Sequence, residues 1–585
     1  MTHVFNDPAD FKEDVLRGFA LAYPHYVDRV PGASGFVRAG GALEGKVGLV
    51  IGGGSGHYPS YNGVVGTGFA DGAVLGDIFA SPSAEQVYRI ARAANGGAGI
   101  VLGFGNYAGD RLNFKVAADR LIAEGIDTRI VYVTDDVASA APDEQGKRRG
   151  IAGTFTVYKI AGAAAEAGAD LDEVERVMAA ANAATYSFGV AFDGCTLPGA
   201  DEPLFHVAEG KMDFGLGIHG EPGISSVDSM SASELAATLV EKVLAERPAG
   251  TARAAVVVNG LGATKYEELY ALFGGIAPLL TDAGVEIVAP EVGELVTSLD
   301  MAGCSLSVTW LDEELERYWL APADTAAFKR GNAAVSTTFT KHRQVTEDVT
   351  AAATEEATED SIAAAAIARS AVLAISETIE ENKDYLGRID AIAGDGDHGI
   401  GMSRGARAAA EAAAQTEGGV QTVLGAAGAA FGDKAGGTSG ILWGLLLDGV
   451  GKSLGNTDKV TTARVVEAVR QAAADLQGFS KASLGDKTML DALFPFVDSL
   501  VAEADRGRSL ATAWSTAARA CVDAAEATAA LVPKIGRARP LAERSVGTPD
   551  PGAVSMGMIV TAIGTVLDEA AVEGSAAATA QTSEV

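Results

Sequence analysis

The sequence predicts two α/β subdomains followed by an all-α domain, and three observations carry that prediction. Up to about residue 335, apolar strand-like runs ending in Gly, Asn or Asp alternate with helical periods. Around 336–358 the pattern dissolves into STTFTKHRQVTEDVTAAATEEATED, rich in Thr and Glu and without an apolar period, which reads as a linker. From 359 to 575 the chain is Ala-rich and helical, with Gly-rich interruptions and few β-branched runs. A chain of 585 residues is too long for one ordinary domain.

In the first subdomain, residues 1–190, KVGLVIGG, AGIVLGFG and RIVYVTDD read as strands and SAEQVYRIARAA as a helix. Strand, Gly-rich loop and helix in that order place ligands at the carboxyl ends of parallel strands. In the second, residues 191–335, ARAAVVVNGLGATKYEELYALF is a strand, a glycine turn and a helix, and VEIVAP and CSLSVTWL are further strands. In the third domain DSIAAAAIARSAVLAISETIEENKDYL and RSLATAWSTAARACVDAAEATAALV are amphipathic helices of a bundle. The last residues, 576–585, read as a disordered tail.

Composition narrows the function. A net charge of −32 argues against nucleic acid as a partner, because phosphate backbones are met by clustered Lys and Arg. Any phosphate site must then be built from glycine amides, local cations or metal ions. Cys195, Cys304 and Cys521 are far apart and lack CxxC spacing, which excludes a disulfide framework and suits a reducing cytoplasm. The acidic start MTHVFNDPADFKEDV has no signal-peptide pattern, and no apolar run approaches membrane-spanning length. A cytoplasmic protein without membrane partners is expected.

Three of the seven histidines sit in Gly-rich loops. His219 lies in LGIHGEPG, His57 ends GGGSGH, and His398 belongs to GDGDHG. Glycine allows tight backbone and close approach of a ligand, and histidine is neutral and nucleophilic near pH 7. Several phosphate- and metal-loop patterns fail on inspection. GxGxxG is matched by GLGIHG, by GDGDHG and, with a terminal Ala, by GFGNYA, in unlike contexts. GVGKS lacks the first P-loop glycine, because Leu446 stands there. DGDHG lacks the calcium-loop carboxylates, with Gly399 and Ala406 at the fifth and twelfth positions. The acidic cluster Asp390, Asp395 and Asp397 surrounds a glycine-broken turn, and hard oxygen donors without cysteine favour Mg²⁺ bridging carboxylates and phosphates. Asp110, after a strand and a Gly-rich turn, is either a helix cap or a partner for a substrate hydroxyl beside His57.

Together IGGGSGH, GDIFASPS, NYAGDRLNF, RGIAGT, GLGIHGEPG and VTSLDMAG resemble the ketose-binding domain of dihydroxyacetone kinases, while GDGDHG, GGTSG, GDKTMLDAL and ERSVGTPDPGA resemble their helical nucleotide-binding domain. The single-chain fusion resembles the ATP-dependent branch. The resemblance implies that the all-α domain is a helical barrel. It further implies that His219 adds to the substrate carbonyl as a hemiaminal, that Gly54, Ser55, Gly56 and Asp110 hold the hydroxyls, and that His57 and Asp110 are candidate general bases. Asp390, Asp395 and Asp397 would hold two Mg²⁺ ions, and His398, Thr438, Ser439, Met489, Arg537, Asp550 and Gly552 would line the ATP site. It also implies a homodimer with the active site formed between subunits. Two residues depart from the commoner pattern: Tyr58 stands for an acidic residue and Gly105 for a lysine. The lost side chain at 105 is expected to leave room for a four-carbon ketose such as erythrulose. The alternatives are a non-catalytic ketose sensor and an additional lyase activity that cyclises a flavin nucleotide.

Overall fold

The computed structural model describes residues 4–221, 223–332, 356–392, 394, 396–535 and 542–582. Contacts between Cα atoms divide the chain into two compact units, Met1–Thr346 and Glu347–Val585.

The first unit contains two large sheets. One has six strands in the order Val27–Arg29, Gly35–Arg38, Gly72–Ile78, Gly48–Ser55, Ile100–Gly105 and Thr128–Val133. Its last four strands are mutually parallel, and the first two add antiparallel at one edge. The parallel strands are nearly uniform apolar runs because helices cover both faces. Gly48–Ser55 and Ile100–Gly105 are buried almost throughout. The connecting helix Ala84–Ala93 starts where the sequence supplies a cap, with Ser83 Oγ accepting the Gln86 N–H at 3.3 Å.

The second sheet has seven strands, with the antiparallel trio Thr185–Asp193, Ala302–Trp310 and Arg253–Gly260 at its centre. The short strands Lys211–Phe214 and Ser225–Asp228 pair at one edge, and the segment between them carries GLGIHGEPG. Parallel pairing is confined to Glu286–Ile287 and Glu291–Gly293 against Arg253–Gly260, so the expected VEIVAP strand shrinks to two residues.

Asn259, at the end of its strand, is fully buried and its amide is saturated. Its oxygen accepts the N–H groups of Leu295 and Val296, and its nitrogen donates to the Val296 carbonyl. A buried amide deprived of such partners costs about 1–3 kcal/mol. The side chain therefore fixes where the following VTSLDMAG segment runs.

The second unit is helical throughout its described residues, from Glu359–Asp390 to Pro551–Thr582. Thr358 and Ser509 cap the helices that begin after them, accepting the N–H groups of Ser361 and Thr512 at 3.3 Å. Two expectations change here. The final helix continues to Thr582, so most of the expected tail is helical, because alanine has the highest helix propensity. In addition, Glu359–Asp390 and Pro551–Val572 are long and apolar enough by composition to cross a membrane, with mean hydropathies of 1.6 and 1.4. That hydropathy is largely alanine, and both helices pack against neighbours within the unit. Of the linker expected at 336–358, residues 336–355 lie outside the described residues.

Candidate functional site

His57 follows the parallel strand Gly48–Ser55, and Asp110 follows its neighbour Ile100–Gly105. Both are at carboxyl ends of adjacent strands, where open α/β sheets bind ligands. His219 reaches the same place from the second sheet. The rings of His57 and His219 meet edge to face with centroids 5.0 Å apart. Phe79 stacks on His57 at 5.2 Å and meets His219 edge-on at 5.5 Å, while Tyr107 lies edge to face on His219 at 4.5 Å.

Both imidazoles are held in the same tautomer. His57 Nδ1 lies 2.7 Å from the Thr297 carbonyl, which only accepts, so this nitrogen carries the proton. Nε2 is then the bare acceptor, buried and with no hydrogen-bond partner among the described residues. Burial, with the neighbouring His219 ring, pushes the His57 imidazole down to about 3, so it is neutral at physiological pH. His219 Nδ1 lies 2.9 Å from Glu221 Oε1, and its backbone N–H donates to Glu221 Oε2 at 3.0 Å. Nε2 of His219 is thereby left with its lone pair, on a side chain only 12% exposed.

Glu221 was absent from the sequence-based site and sets its electrostatics. Burial works to raise its carboxyl, but His219 and the Arg149 guanidinium outweigh that and hold it well below the usual carboxylate range. Arg149 is itself fixed by Asp136 at 2.7 Å and by the Gly215 carbonyl at 2.9 Å. A Cβ at position 217 would lie 2.1 Å from Glu221 Oε2, so a larger residue there would displace the carboxylate that holds His219.

A second omission is the VTSLDMAG segment, which braces both histidine loops. Thr297 takes the His57 proton on its carbonyl and donates its hydroxyl to the Tyr58 carbonyl at 2.9 Å. Ser298 Oγ donates to the Ile218 carbonyl at 2.5 Å, and the Leu299 N–H donates to the Gly56 carbonyl at 2.8 Å. The motif was visible in the sequence, but its bracing role depends on contacts remote along the chain.

Of the remaining first-unit candidates, Asp110 is buried in the first turn of the helix Ala108–Ala123. With burial, it raises the phenol of Tyr61, whose ring is 6.4 Å from that of His57. Gly54 is buried, and Gly56 turns with φ of +99°. Ser55 Oγ has no hydrogen-bond partner among the described residues. Ser55 and Gly56 border a groove of about 340 Å³ walled by Phe19, Tyr23 and Tyr58, to which His57, Asp110 and His219 do not contribute. Beside Gly105 the expected room is absent. A Cβ there would fall 2.9 Å from the Tyr107 ring and 3.2 Å from the Gly150 carbonyl, so the aromatic ring already fills that volume.

In the second unit, loops between helices converge on His398. Its Nδ1 is 3.3 Å from Ser439 Oγ, its Nε2 is 3.1 Å from Ser555 Oγ, and its backbone N–H donates to Asp390 Oδ2 at 3.3 Å. Ser439 and His398 lie in the first turns of two helices, and Ser555 lies one turn into a third. A fourth helix start joins them at Met489, whose Cβ is 3.5 Å from the position a Cβ on Gly552 would take. Helix N-termini present unpaired N–H groups and a positive dipole end, which suits phosphate. Asp550 is pushed up to about 7 by burial, with the carboxylates of Asp390 and Asp491 adding to the rise. Lys487 is buried with φ of +62°, and its Nζ donates to the Ser545 carbonyl at 2.6 Å and the Leu531 carbonyl at 3.2 Å. It ties down the chain leading to Asp550 and was likewise missed. Thr438 is exposed beside Ser439.

Asp397 is the N-cap position of the helix that begins at His398, and Asp390 ends the preceding helix. Asp395 and Arg537 lie outside the described residues. Among the described residues no group of three or more His, Cys, Asp or Glu side chains is arranged to hold a metal. The oxygen-only character of Asp390 and Asp397 fits a hard divalent cation.

A family model described as the Dak1 domain matches residues 17–327, and one described as the DAK2 domain matches residues 392–565. A D-erythrulose kinase of Mycolicibacterium smegmatis is 56% identical over 95% of this chain and 97% of its own length. An L-erythrulose kinase of Pectobacterium atrosepticum is 50% identical over 97% of each. The crystal structure of the dihydroxyacetone kinase from C. freundii in complex with AMP-PNP and Mg²⁺ superposes with a TM-score of 0.52. It is 31% identical and covers 96% of this chain and 99% of that one.

Proposed function

Because the chain belongs to the dihydroxyacetone kinase family, with a Dak1 and a DAK2 domain in one polypeptide, we propose that it transfers the γ-phosphoryl group of ATP to a terminal hydroxyl of erythrulose bound covalently to His219. The observation that carries the covalent step is the pairing of His219 Nδ1 with Glu221. That pairing leaves the Nε2 lone pair free to attack the ketose carbonyl carbon. As the nitrogen–carbon bond forms, the carbonyl π pair moves to oxygen and the ring becomes cationic. Glu221, held ionised by His219 and Arg149, neutralises that charge without moving. A small polar ketose offers little apolar area to bury, so a covalent bond supplies the grip that packing cannot.

Asp110 is the stronger candidate for removing the proton of the attacking hydroxyl. An imidazole pushed down to about 3 accepts a hydrogen bond readily but a proton poorly. His57 Nε2 then orients a sugar hydroxyl, with Gly54, Ser55 and Gly56 around it.

In the helical unit, His398, Ser439, Met489, Asp550 and Gly552 would surround the nucleotide, with Thr438 and Arg537 completing the set. Asp390, Asp395 and Asp397 would hold Mg²⁺, two ions by analogy with the family, which when bound offsets charge on the phosphates as the phosphoryl group moves in line. His398 is kept neutral chiefly by burial, so its ring serves as a hydrogen-bonding wall. The sugar and nucleotide residues lie in different units, and a homodimer in which each subunit completes the other's site would bring them together.

The decisive experiment is a panel of three- to five-carbon ketoses, including both erythrulose enantiomers, assayed for ADP release with ATP and Mg²⁺. The highest kcat/KM is expected for an erythrulose. No ADP release with any ketose would overturn the assignment.

A further inference from the structure

We propose that Tyr107, seated in the volume that a side chain at position 105 would otherwise occupy, gauges the length of the ketose above His219. The inference rests on reading His219 as the residue that captures the carbonyl.

The Tyr107 ring touches both positions. A Cβ on Gly105 would come within 2.9 Å of its Cε2 and 3.1 Å of its Cδ2. The His219 ring meets it edge to face at 4.5 Å. The phenol donates to the Gly150 carbonyl at 3.0 Å, which anchors the far end of the ring. The backbone beneath it is pinned as well. Asn106 N–H donates to the Val133 carbonyl at 3.1 Å, and its amide nitrogen donates to the carbonyls of Arg148 and Gly146 at 2.7 and 3.1 Å. With its loop fixed and its tip tethered, a ring displaced by a side chain at 105 can shift only by small amounts, and it does so while in contact with His219.

The other rings facing His219 are less able to adjust. Phe79 and His57 are 3% and 1% exposed and stack on each other, whereas Tyr107 is only half-buried. Tyr107 is therefore the wall against which the carbons beyond the captured carbonyl are measured. Glycine at 105 does not create an open space; it lets the tyrosine stand back from the imidazole. One methylene in a close-fitting pocket is worth about 10–200-fold in kcat/KM, so even a small advance of this ring separates a four-carbon from a three-carbon ketose.

The test is the ratio of kcat/KM for erythrulose to kcat/KM for dihydroxyacetone, a quantity that general loosening of the fold leaves unchanged. Gly105→Ala is expected to lower that ratio about 10-fold or more, with the KM for ATP unaltered. The double variant Gly105→Ala/Tyr107→Leu is expected to restore it, because the smaller side chain removes the collision and makes the two changes non-additive. Equal losses on both sugars, or additive losses in the double variant, would overturn the proposal. Should Gly105→Ala fail to fold, Tyr107→Leu alone decides. It is expected to raise the relative kcat/KM of a five-carbon ketose several-fold, and an unchanged ranking refutes the gauge. If the wild-type protein releases ADP with no ketose, the kinase reading falls. The ratio of ketose dissociation constants, measured by calorimetry on the same variants, then decides the gauge by the same criteria.

Discussion

Glu221 accepts two hydrogen bonds from His219: the backbone N–H on one carboxylate oxygen at 3.0 Å and Nδ1–H on the other at 2.9 Å. One side chain therefore fixes the position of the loop and the tautomer of the ring. Glu221→Gln keeps the shape but can offer its NH₂ group to Nδ1, which favours the tautomer with the proton on Nε2. That ring has no lone pair facing the substrate. The expected result is a fall of about 100-fold or more in kcat/KM for the ketose, the order of a lost charged hydrogen bond plus a wrong tautomer. The KM for ATP should be unchanged. Steady-state kinetics with each substrate varied in turn checks this, and a loss shared equally by both substrates would count against the assigned role.

The proposed division of labour between the units is separable by mutation. His219→Ala should abolish the ketose mass increment on the intact protein. Asp390→Asn should abolish ADP release while leaving that increment in place, because Asp390 lies in the helical unit. If sites are completed between subunits, mixing the two inactive variants should regain part of the wild-type activity, about a quarter at most under random pairing. No recovery after verified subunit exchange would exclude the shared site.

How much of this was legible in the sequence depends on how far each interaction reaches along the chain. The parallel strands around His57 and Asp110 announce themselves through apolar runs ending in glycine, and the capped helices through Ser83, Thr358 and Ser509. His57 and His219 stand out because glycines surround them, yet nothing in the sequence shows that their rings meet. Glu221 is two residues from His219, but that Arg149 and His219 outweigh its burial is a property of the folded chain. Thr297 and Ser298 look like ordinary strand-end polar residues until the fold sets them between two loops. Gly105 was misread for a related reason: a missing side chain signals space only if no neighbour takes it, and Tyr107 does.

The buried imidazole of His57 gives the first unit an acid-sensitive element. Burial, with His219 nearby, pushes it from 6.5 down to about 3. Between those values the unfolded chain binds a proton that the folded chain refuses. Its share of stability is thus fully present above pH 6.5 and is lost as pH falls, by up to about 1.4 kcal/mol per pH unit. Urea unfolding of wild type and His57→Asn at pH 7 and pH 5 should show the wild type losing about 2 kcal/mol more than the variant over that interval. Identical pH dependence in the two proteins would mean that His57 does not titrate in this way.

Lys487 offers a test of the proposed nucleotide site that leaves the residues proposed to contact the nucleotide untouched. Its backbone is left-handed, its side chain is buried, and its Nζ satisfies the carbonyls of Ser545 and Leu531, which flank the chain leading to Asp550 and Gly552. Lys487→Met retains the apolar stem and deletes the donor. The orphaned carbonyls then cost about 1–3 kcal/mol, and the chain can relieve that cost by letting the Ser545 segment move toward water. Because Asp550 N–H is also held by Thr528 Oγ1 at 2.8 Å, the displacement should be partial and the fold retained. The expected outcome is a rise of about 10-fold in KM for ATP, the equivalent of about 1.4 kcal/mol, with the KM for ketose and adduct formation on His219 unchanged. Lys487→Arg keeps the charge and supplies donors in a planar fork that does not match two diverging carbonyls, so it should recover only part of the loss. A variant that lowers the thermal midpoint without altering the KM for ATP would reduce Lys487 to a structural pin with no bearing on the nucleotide.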